Sequence, residues 1–375
     1  MNSFGDTWTF TSFGESHGLA VGGVLDGVPA GLHIDLALIR SELERRAGKV
    51  QSDDVQCTKG VSPRAMREPD EVEWLSGVIE KGQSDNVQCT KYKGQSDNVQ
   101  CTKYKGQSDN VQCTKDQGTK YKGQSDKVQS DNVQCTKELV TLGTPIAFII
   151  RNKDARPEDY EYLRHTYRTG HADRVYEQKY GIRDWRGGGR ASARETAARV
   201  VAGCIAKQEL AAKGISIHAS LVQVGAETDP TRFADTIARY QQDGDSIGGI
   251  VACRITGLPV GTGEPIFDKL QAHLAYAVMS INACKGFEYG TGFGGVTEPG
   301  SAINHISGGI SGGIADGTDV TFRCVFKPTP STPKALMEVT KGQGTMYKGR
   351  HDACVATRAV PVVEAMTALA LVNLI

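Results

Sequence analysis

The chain has 375 residues, of which 39% are apolar, and its 43 basic residues balance its 43 acidic ones. This length allows one large domain or two ordinary ones, and the balanced charge excludes the bulk basic field on which nonspecific nucleic-acid binding depends. No apolar segment follows Met1, and the apolar stretch 359–375 is too short to span a bilayer and contains Glu364. We therefore expect a soluble, cytoplasmic protein with neither membrane nor nucleic-acid partners, in which any anion is bound locally.

The first chemical signal in the chain is the turn Gly14-Glu15-Ser16-His17-Gly18. Its spacing matches the G-x-S-x-G nucleophile elbow of serine hydrolases, which needs a strand before the serine and a helix after it. Little chain precedes Gly14 and glycines follow at positions 22 and 23, so the sequence disfavours a hydrolase. What remains is the imidazole of His17 in a glycine-flanked turn, where a pKa near neutrality suits proton transfer.

Residues 51–137 carry the peptide QSDNVQCTK and its close variants. Each copy has about one strongly apolar residue, and units of this kind cannot bury a core. We expect residues 81–137 to be a low-complexity insertion, disordered or exposed to solvent, that interrupts a single domain spanning residues 1–375. A partner-binding role for the insertion stays open.

Outside the insertion the sequence predicts alternating helices and strands. Helical periodicity marks four segments, which are 35–46, 193–213, 266–281 and 360–374. Strand composition marks three segments, which are 145–151, 215–224 and 319–327. Asp35 is the expected cap of the first helix, Gly214 the expected stop of the second, and Pro361 suits a first turn. Because strands also arrive in glycine-rich meanders, we expect an α+β fold in which helices cover antiparallel sheets.

The strongest signal for a ligand site is the segment 179–196, KYGIRDWRGGGRASARET. The glycines 187–189 place no side chain between a ligand and the backbone, and Ser192 and Glu195 have the spacing of a capping box. Four arginines surround this join, which are Arg183, Arg186, Arg190 and Arg194. A helix N-terminus and guanidinium groups both attract anions, so we predict a phosphate or carboxylate site. A tight turn into an ordinary surface helix is the alternative.

Two further polar turns contain a histidine. His171 lies in the run RTGHAD, two residues before Asp173, and His351 lies in the run GRHD, directly before Asp352. With His17, these turns are candidates for general acid and base groups. No C-x-x-C or paired histidine spacing indicates a metal, so we expect no metal site and buried free thiols at the cysteines outside the repeats.

Eight runs along the chain, in order, carry a resemblance: FGESHG (13–18), GHAD (170–173), KYGIRDWRGGGRASARETAARVVAG (179–203), GEPIFDKL (263–270), SINACKGFEYG (280–290), SGGISGGI (307–314), FKPTPS (326–331) and KGRHDAC (348–354). They closely resemble the chorismate synthase family. The resemblance implies a single-domain β-α-β sandwich, a homotetramer and reduced FMN as cofactor. It also implies an activity, the conversion of 5-enolpyruvylshikimate 3-phosphate to chorismate by 1,4-anti elimination of phosphate, which ends the shikimate pathway. Whether NADPH serves as the reductant of the flavin stays open.

The resemblance further implies roles for individual residues. His17 would protonate the reduced flavin, His171 would assist departure of the phosphate, and Asp352 would help the flavin to take the C6 proton. Arg46 and Arg194 would anchor the substrate. The expected flavin contacts are Arg190, Ala191, Ser192, Asn282, Ala283, Gly312, Lys327, Pro328, Thr329, Pro330, Ser331 and Arg350.

The chain departs from the family pattern in the loops expected to bind the substrate. The family has Arg-Pro-Gly-Gln-Ser after its first long helix, where this chain continues from Arg46 as Ala-Gly-Lys-Val-Gln-Ser, and Thr169 stands where the family has proline. The alternative function is therefore a flavin-binding or anion-binding homologue with impaired turnover, in which the repeats bind a partner.

Overall fold

The computed structural model describes residues 2–49, 61–81, 138–301, 307–334 and 351–375. Nearly all of the predicted insertion, the cysteines of the repeats and Arg350 lie outside these residues. The expectations about them stay predictions.

The described residues form helices and strands of both long and short kinds. The helices are α1 (Leu36–Ala47), α2 (Pro63–Arg67), α3 (Asp173–Tyr180), α4 (Thr196–Ala212), α5 (Phe233–Gln242), α6 (Leu270–Met279) and α7 (Ala356–Leu371). The strands are β1 (Ser3–Phe4), β2 (Thr9–Phe13), β3 (Ala20–Asp26), β4 (His33–Ile34), β5 (Val72–Ser76), β6 (Val78–Glu80), β7 (Leu139–Thr141), β8 (Ile146–Arg151), β9 (Ser216–Val224), β10 (Gly249–Thr256), β11 (Cys284–Tyr289), β12 (Ile310–Ser311), β13 (Ile314–Ala315) and β14 (Val320–Phe326).

Each helix and strand predicted from the sequence is present, and several boundaries differ. Asp35 caps α1 as predicted, since its carboxylate accepts the backbone N–H groups of Ala37 and Leu38 at 2.8 and 2.9 Å. Helix α6 begins at Leu270, so the four residues before it were wrongly predicted as helical. Pro361 lies inside α7, not in its first turn. A proline there removes one helical hydrogen bond, and burial of the whole helix offsets this loss.

Two antiparallel sheets enclose a layer of helices. The first sheet has the order β1-β2-β3-β8-β5, and the second has the order β11-β14-β10-β9. Helix α4 packs against β3 on one side and β9 on the other, while α7 packs against α4, β9 and β10. The central position of α7 explains why all its residues are buried. The predicted α+β sandwich is therefore confirmed.

A buried charge cluster ties the helical layer together at Glu364 of α7. This side chain accepts hydrogen bonds from Arg45 of α1 at 3.1 Å, Lys207 of α4 at 2.7 Å and the backbone N–H of Ala219 in β9 at 2.9 Å. Glu42 pairs with the same two cations. A buried carboxylate is costly unless charged partners compensate it. Because each partner comes from a different element, the cluster fixes how α1, α4, α7 and β9 meet.

The ends of the segment that contains the insertion are close in space, which makes the insertion testable by deletion. Strands β6 and β7 pair antiparallel with Glu80 opposite Leu139. Opposed Cα atoms lie about 5 Å apart, a gap that a loop of roughly 2–5 residues can close. We expect a chain in which Gly-Thr-Thr replaces residues 81–137 to keep or raise its Tm, because polar repeats bury little apolar surface. Differential scanning calorimetry of both chains is the measurement. A fall of more than about 5 °C, roughly 3 kcal/mol for a chain of this size, would contradict a disordered or exposed insertion.

Candidate active site

A cavity of about 500 Å³ lies where the β2–β3 turn, the end of α1, the turn before α4 and the start of α7 meet. Its wall brings together most of the residues predicted from the sequence. They are His17, Arg46, His171, Ala191, Ser192, Arg194, Asn282, Ala283, Lys327, Thr329, Pro330, Ser331 and Asp352. Segments that are distant in the sequence therefore converge on one site.

Three of the described residues predicted to contact the flavin do not line this cavity: Arg190, Gly312 and Pro328. The Arg190 guanidinium donates to the backbone carbonyls of Ser12 and Gly14, both at 3.2 Å, and to the Ser12 hydroxyl. It therefore ties the glycine run to β2. Gly312 lies in the turn between β12 and β13, where an added Cβ would meet open space. For these residues, contact with a flavin stays a prediction.

The glycine run holds the two candidate acid-base histidines. Gly187, Gly188 and Gly189 all have positive φ angles, of 61°, 86° and 51°. A Cβ on Gly187 would lie 2.2 Å from the ring of His17, and one on Gly188 would lie 2.7 Å from the ring of His171. We expected the glycines to admit a ligand to the backbone. In the structure they admit two imidazoles, whose approach could not be seen in a local sequence pattern, and the approach of a ligand stays a prediction.

The helix start after the glycine run also differs from prediction. The Ser192 hydroxyl accepts the backbone N–H of Arg194 at 3.3 Å and so caps a short 3-10 turn, Ala193–Glu195, that leads into α4. Glu195 pairs with Arg199 at 3.0 Å. The reciprocal half of the predicted capping box is therefore absent between these two described residues, because an arginine one turn along competes for the Glu195 carboxylate.

His17 is 5% exposed and is held from two sides. Its Nδ1 lies 3.1 Å from the Ser16 hydroxyl, to which Arg64 donates at 3.3 Å, and its ring meets that of Tyr160 edge-on at 4.8 Å between centroids. Strand β3 begins at Ala20, so a strand and not a helix follows Ser16. The nucleophile elbow is excluded on this geometry, and Ser16 is a partner of His17.

His171 is held by Asp173, which is itself held by Arg168. The His171 Nδ1–H donates to the Asp173 carboxylate at 2.8 Å, and Arg168 donates to both oxygens of that carboxylate at 2.8 Å. Burial lowers the pKa of His171, and the hydrogen bond to Asp173 opposes this effect. Burial would raise the pKa of Asp173, but the bonds from Arg168 and His171 outweigh it and hold that pKa well below its usual range. An anion arriving beside the ring would favour the protonated form of His171.

Asp352 is fixed in the cavity wall by both its oxygens. One oxygen accepts the backbone N–H of Ser62 at 2.8 Å, and the other accepts from Arg358 at 2.7 Å. Ser62 caps α2, and Arg358 lies in the first turn of α7. Asp352 thus joins two elements that the chain separates by about 290 positions.

The cavity has a cationic wall that the sequence revealed only in part. Besides Arg46 and Arg194, its lining includes Arg64, Arg168 and Arg358. Arg64 donates to Glu68 at 2.8 Å, and each of the other arginines also has a carboxylate partner. The pair Ser62-Pro63 is a helix start signal that would have marked α2, and with it Arg64.

One stretch of the wall has the properties of a cofactor contact. Ala283 has φ +69°, and among the described residues no other non-glycine residue has a positive φ. Its neighbour Asn282 donates to the Ala191 carbonyl at 3.0 Å, while the buried Oδ1 of Asn282 has no hydrogen-bond partner among the described residues. Strain and an unsatisfied acceptor both mark functional sites. The ring N–H of a flavin is a donor that suits Asn282.

Other classes of site are not seen in the described ranges. These ranges contain no group of three or more histidine, cysteine or acidic residues suited to a metal ion. None of their helices is long and apolar enough to cross a membrane. Cys204, Cys253, Cys284, Cys324 and Cys354 are buried free thiols, as predicted.

Comparison with known proteins adds to this geometry. A family model described as chorismate synthase matches residues 8–90 and 112–375. The chorismate synthase of Christiangramia forsetii is 39% identical over 99% of this chain and 96% of that protein. The chorismate synthase of Porphyromonas gingivalis is 39% identical over 100% of this chain and 95% of that protein. A crystal structure of a chorismate synthase matches the fold with a TM-score of 0.63, covering 99% of this chain and 92% of the other, at 23% identity.

The contact between glycine and histidine can be tested with a matched pair of variants. Gly187→Ala places a Cβ against His17, whereas Gly181→Ala adds one at a similar φ of 76° with no atom within 4 Å. Both should cost about 1–2 kcal/mol of stability from the left-handed backbone. We expect only Gly187→Ala to lower kcat as well, by roughly 10²-fold, because it displaces a proton-transfer group. Steady-state kinetics and urea unfolding of both variants are the measurements. Equal kcat values in the two variants would contradict this role of Gly187.

Proposed function

Because this chain belongs to the chorismate synthase family, we propose that it converts 5-enolpyruvylshikimate 3-phosphate to chorismate and phosphate, with reduced FMN as cofactor. The observation that carries the proposal is the convergence of His17, His171 and Asp352 on one cavity with five arginines. The substrate bears one phosphate and two carboxylates, and guanidinium groups bind both in bidentate geometry. The enzyme is then a carbon-oxygen lyase that acts on a phosphate ester.

The chain's own residues supply binding, orientation and proton positions. His171, held at Nδ1 by Asp173, offers Nε2 as the atom that carries a proton toward the leaving phosphate. Asp352, held by Ser62 and Arg358, would help the bound flavin to accept the C6 proton. His17 holds a proton beside the cofactor. Reduced FMN held at this wall would supply transient electron density to the elimination, with no net oxidation.

The residues proposed to hold the flavin include a group that lines the cavity. Asn282 offers its unsatisfied Oδ1, and Lys327 donates to the Gly170 carbonyl at 2.8 Å, which places an ammonium beside the histidine turn. The remaining contacts proposed are Ala191, Ser192, Ala283, Thr329, Pro330 and Ser331, all in the cavity wall. An assay with and without NADPH tests whether NADPH serves as the reductant of the flavin.

We propose a homotetramer in the cytoplasm as the working form. Large apolar side chains are exposed on two short segments, with Phe267 and Val296 each at 88% and Phe293 at 85%. Exposed apolar surface of this kind is typical of subunit contacts. The buried free thiols suit a reducing compartment. Multi-angle light scattering should give four times the chain mass of 40.2 kDa, and a monomer mass would contradict this assembly.

The activity is tested by anaerobic assay with chemically reduced FMN and 5-enolpyruvylshikimate 3-phosphate, following chorismate absorbance. His17→Ala and His171→Ala should each lower kcat by roughly 10²-fold or more, as expected for a lost acid-base group. His33→Ala is the control, because His33 is half exposed and pairs with Glu138 outside the cavity. Wild-type kcat in either cavity variant would refute its role. A wild-type chain that binds FMN yet forms no chorismate would favour the alternative, a homologue with impaired turnover.

A further inference from the structure

A carboxylate not identified from the sequence lies behind the cationic wall. Asp70, in the segment between α2 and β5, has a side chain that is 5% exposed and does not line the cavity. One of its oxygens lies 3.3 Å from Nη1 of Arg46, and the other accepts from Nη1 of Arg194. A single carboxylate therefore joins a guanidinium at the end of α1 to one in the turn before α4.

The remaining contacts of the two arginines leave a defined set of donors for a ligand. Arg46 also donates to Thr196 at 3.1 Å and to the Ala193 carbonyl at 2.6 Å. Arg194 also donates to Asn152 at 2.9 Å and to the Arg151 carbonyl at 3.3 Å. Each guanidinium has five N–H groups, so about two on each remain available beyond these bonds. Both guanidiniums line the cavity.

Electrostatics favours this arrangement, in which Asp70 lies between both arginines and a Glu68 oxygen lies 3.7 Å from Nη1 of Arg194. Burial lowers the pKa of Arg46, and the nearby Arg358 and Arg194 lower it further, while Asp70 opposes them. Burial would raise the pKa of Asp70, but Arg194 and Arg46 outweigh it and hold that pKa below its usual value. Arg46 and Arg194 contact the same buried carboxylate, and two cations so close together repel each other in a buried site. An ionised carboxylate between them holds both in place.

We propose that Asp70 is a positioning residue for the substrate, which sets the spacing and direction of Arg46 and Arg194 so that both guanidiniums meet one oxyanion group of the substrate. Asp70 touches neither the substrate nor the cofactor and acts through the two arginines. The inference rests on the proposed role of those arginines as substrate anchors. The inference adds the residue that orients the two arginines.

A positioning role and a simple counter-charge role predict opposite effects on substrate affinity. If Asp70 only balanced charge, Asp70→Asn would make the cavity more positive and bind the anionic substrate more tightly. If Asp70 positions the arginines, the same variant lets them separate and turn away. The substrate then binds more weakly although the site is more positive.

The test compares Asp70→Asn and Asp70→Glu with Asp319→Asn as a matched control. Asp319 also pairs with an arginine, Arg254, but lies outside the cavity lining. In the anaerobic assay we expect Asp70→Asn to raise KM by roughly 10-fold or more while kcat changes less than about threefold, and Asp70→Glu to raise KM less because it keeps the charge. The control should match wild type. FMN binding, followed by fluorescence, should be unchanged in all variants.

Each outcome decides between named alternatives. An unchanged or lowered KM in a folded Asp70→Asn would overturn the proposal, as would a loss of kcat at constant KM. If Asp70→Asn does not fold, a wild-type KM in Asp70→Glu would overturn it. Arg194→Ala, measured alongside, separates the premise from the inference. If KM stays normal in Arg194→Ala, the anchor role fails, whereas a raised KM there with a normal KM in Asp70→Asn refutes the Asp70 role alone.

Discussion

The shape of the cavity depends on how buried positive charge is compensated, and Arg46 is the most important of these charges. Its side chain is 2% exposed, and it bonds to Asp70, to Thr196 and to the Ala193 carbonyl. Its own carbonyl accepts from Arg358 of α7 at 3.0 Å. An uncompensated guanidinium in such a place would cost several kcal/mol. Helices α1, α4 and α7 must therefore meet in the arrangement that supplies these partners, and this arrangement also shapes the cavity.

Arg45, the residue before Arg46, is also a buried cation compensated by carboxylates, but on the other face of α1. Arg45 points into the helical layer, where Glu42 and Glu364 receive it, while Arg46 points to the cavity. One turn of helix thus carries a structural cation and a proposed substrate anchor. Each is fixed by a carboxylate from another element, Glu364 or Asp70, so the proposed binding of substrate would require little reorganisation of the charged groups.

Periodicity and composition predicted α1, α4, α6, α7, β8, β9 and β14, but not α2, α3, α5 or the remaining strands. Motif spacing marked the histidine turns and the glycine run. These sequence patterns could not identify which residues, distant along the chain, contact one another. Asp70 meets arginines 24 and 124 positions away, and Gly187 meets His17 from the far side of the insertion. The family resemblance predicted that Arg190 contacts the flavin, but it could not show that the Arg190 guanidinium bonds to β2. Helix α7 extends through Pro361 because packing on every side outweighs local propensity.

The spacing of the two acid-base histidines is set by backbone rather than by side chains. Gly187 lies against His17 and Gly188 lies against His171, and consecutive Cα atoms are about 3.8 Å apart. A turn with three successive positive φ angles has few alternative conformations that keep both contacts. The imidazoles also have separate supports, Ser16 with Arg64 for one and Asp173 with Arg168 for the other. The two imidazoles are therefore held at a spacing that the backbone defines, which would suit the proposed roles of one proton position beside the cofactor and one beside the leaving phosphate.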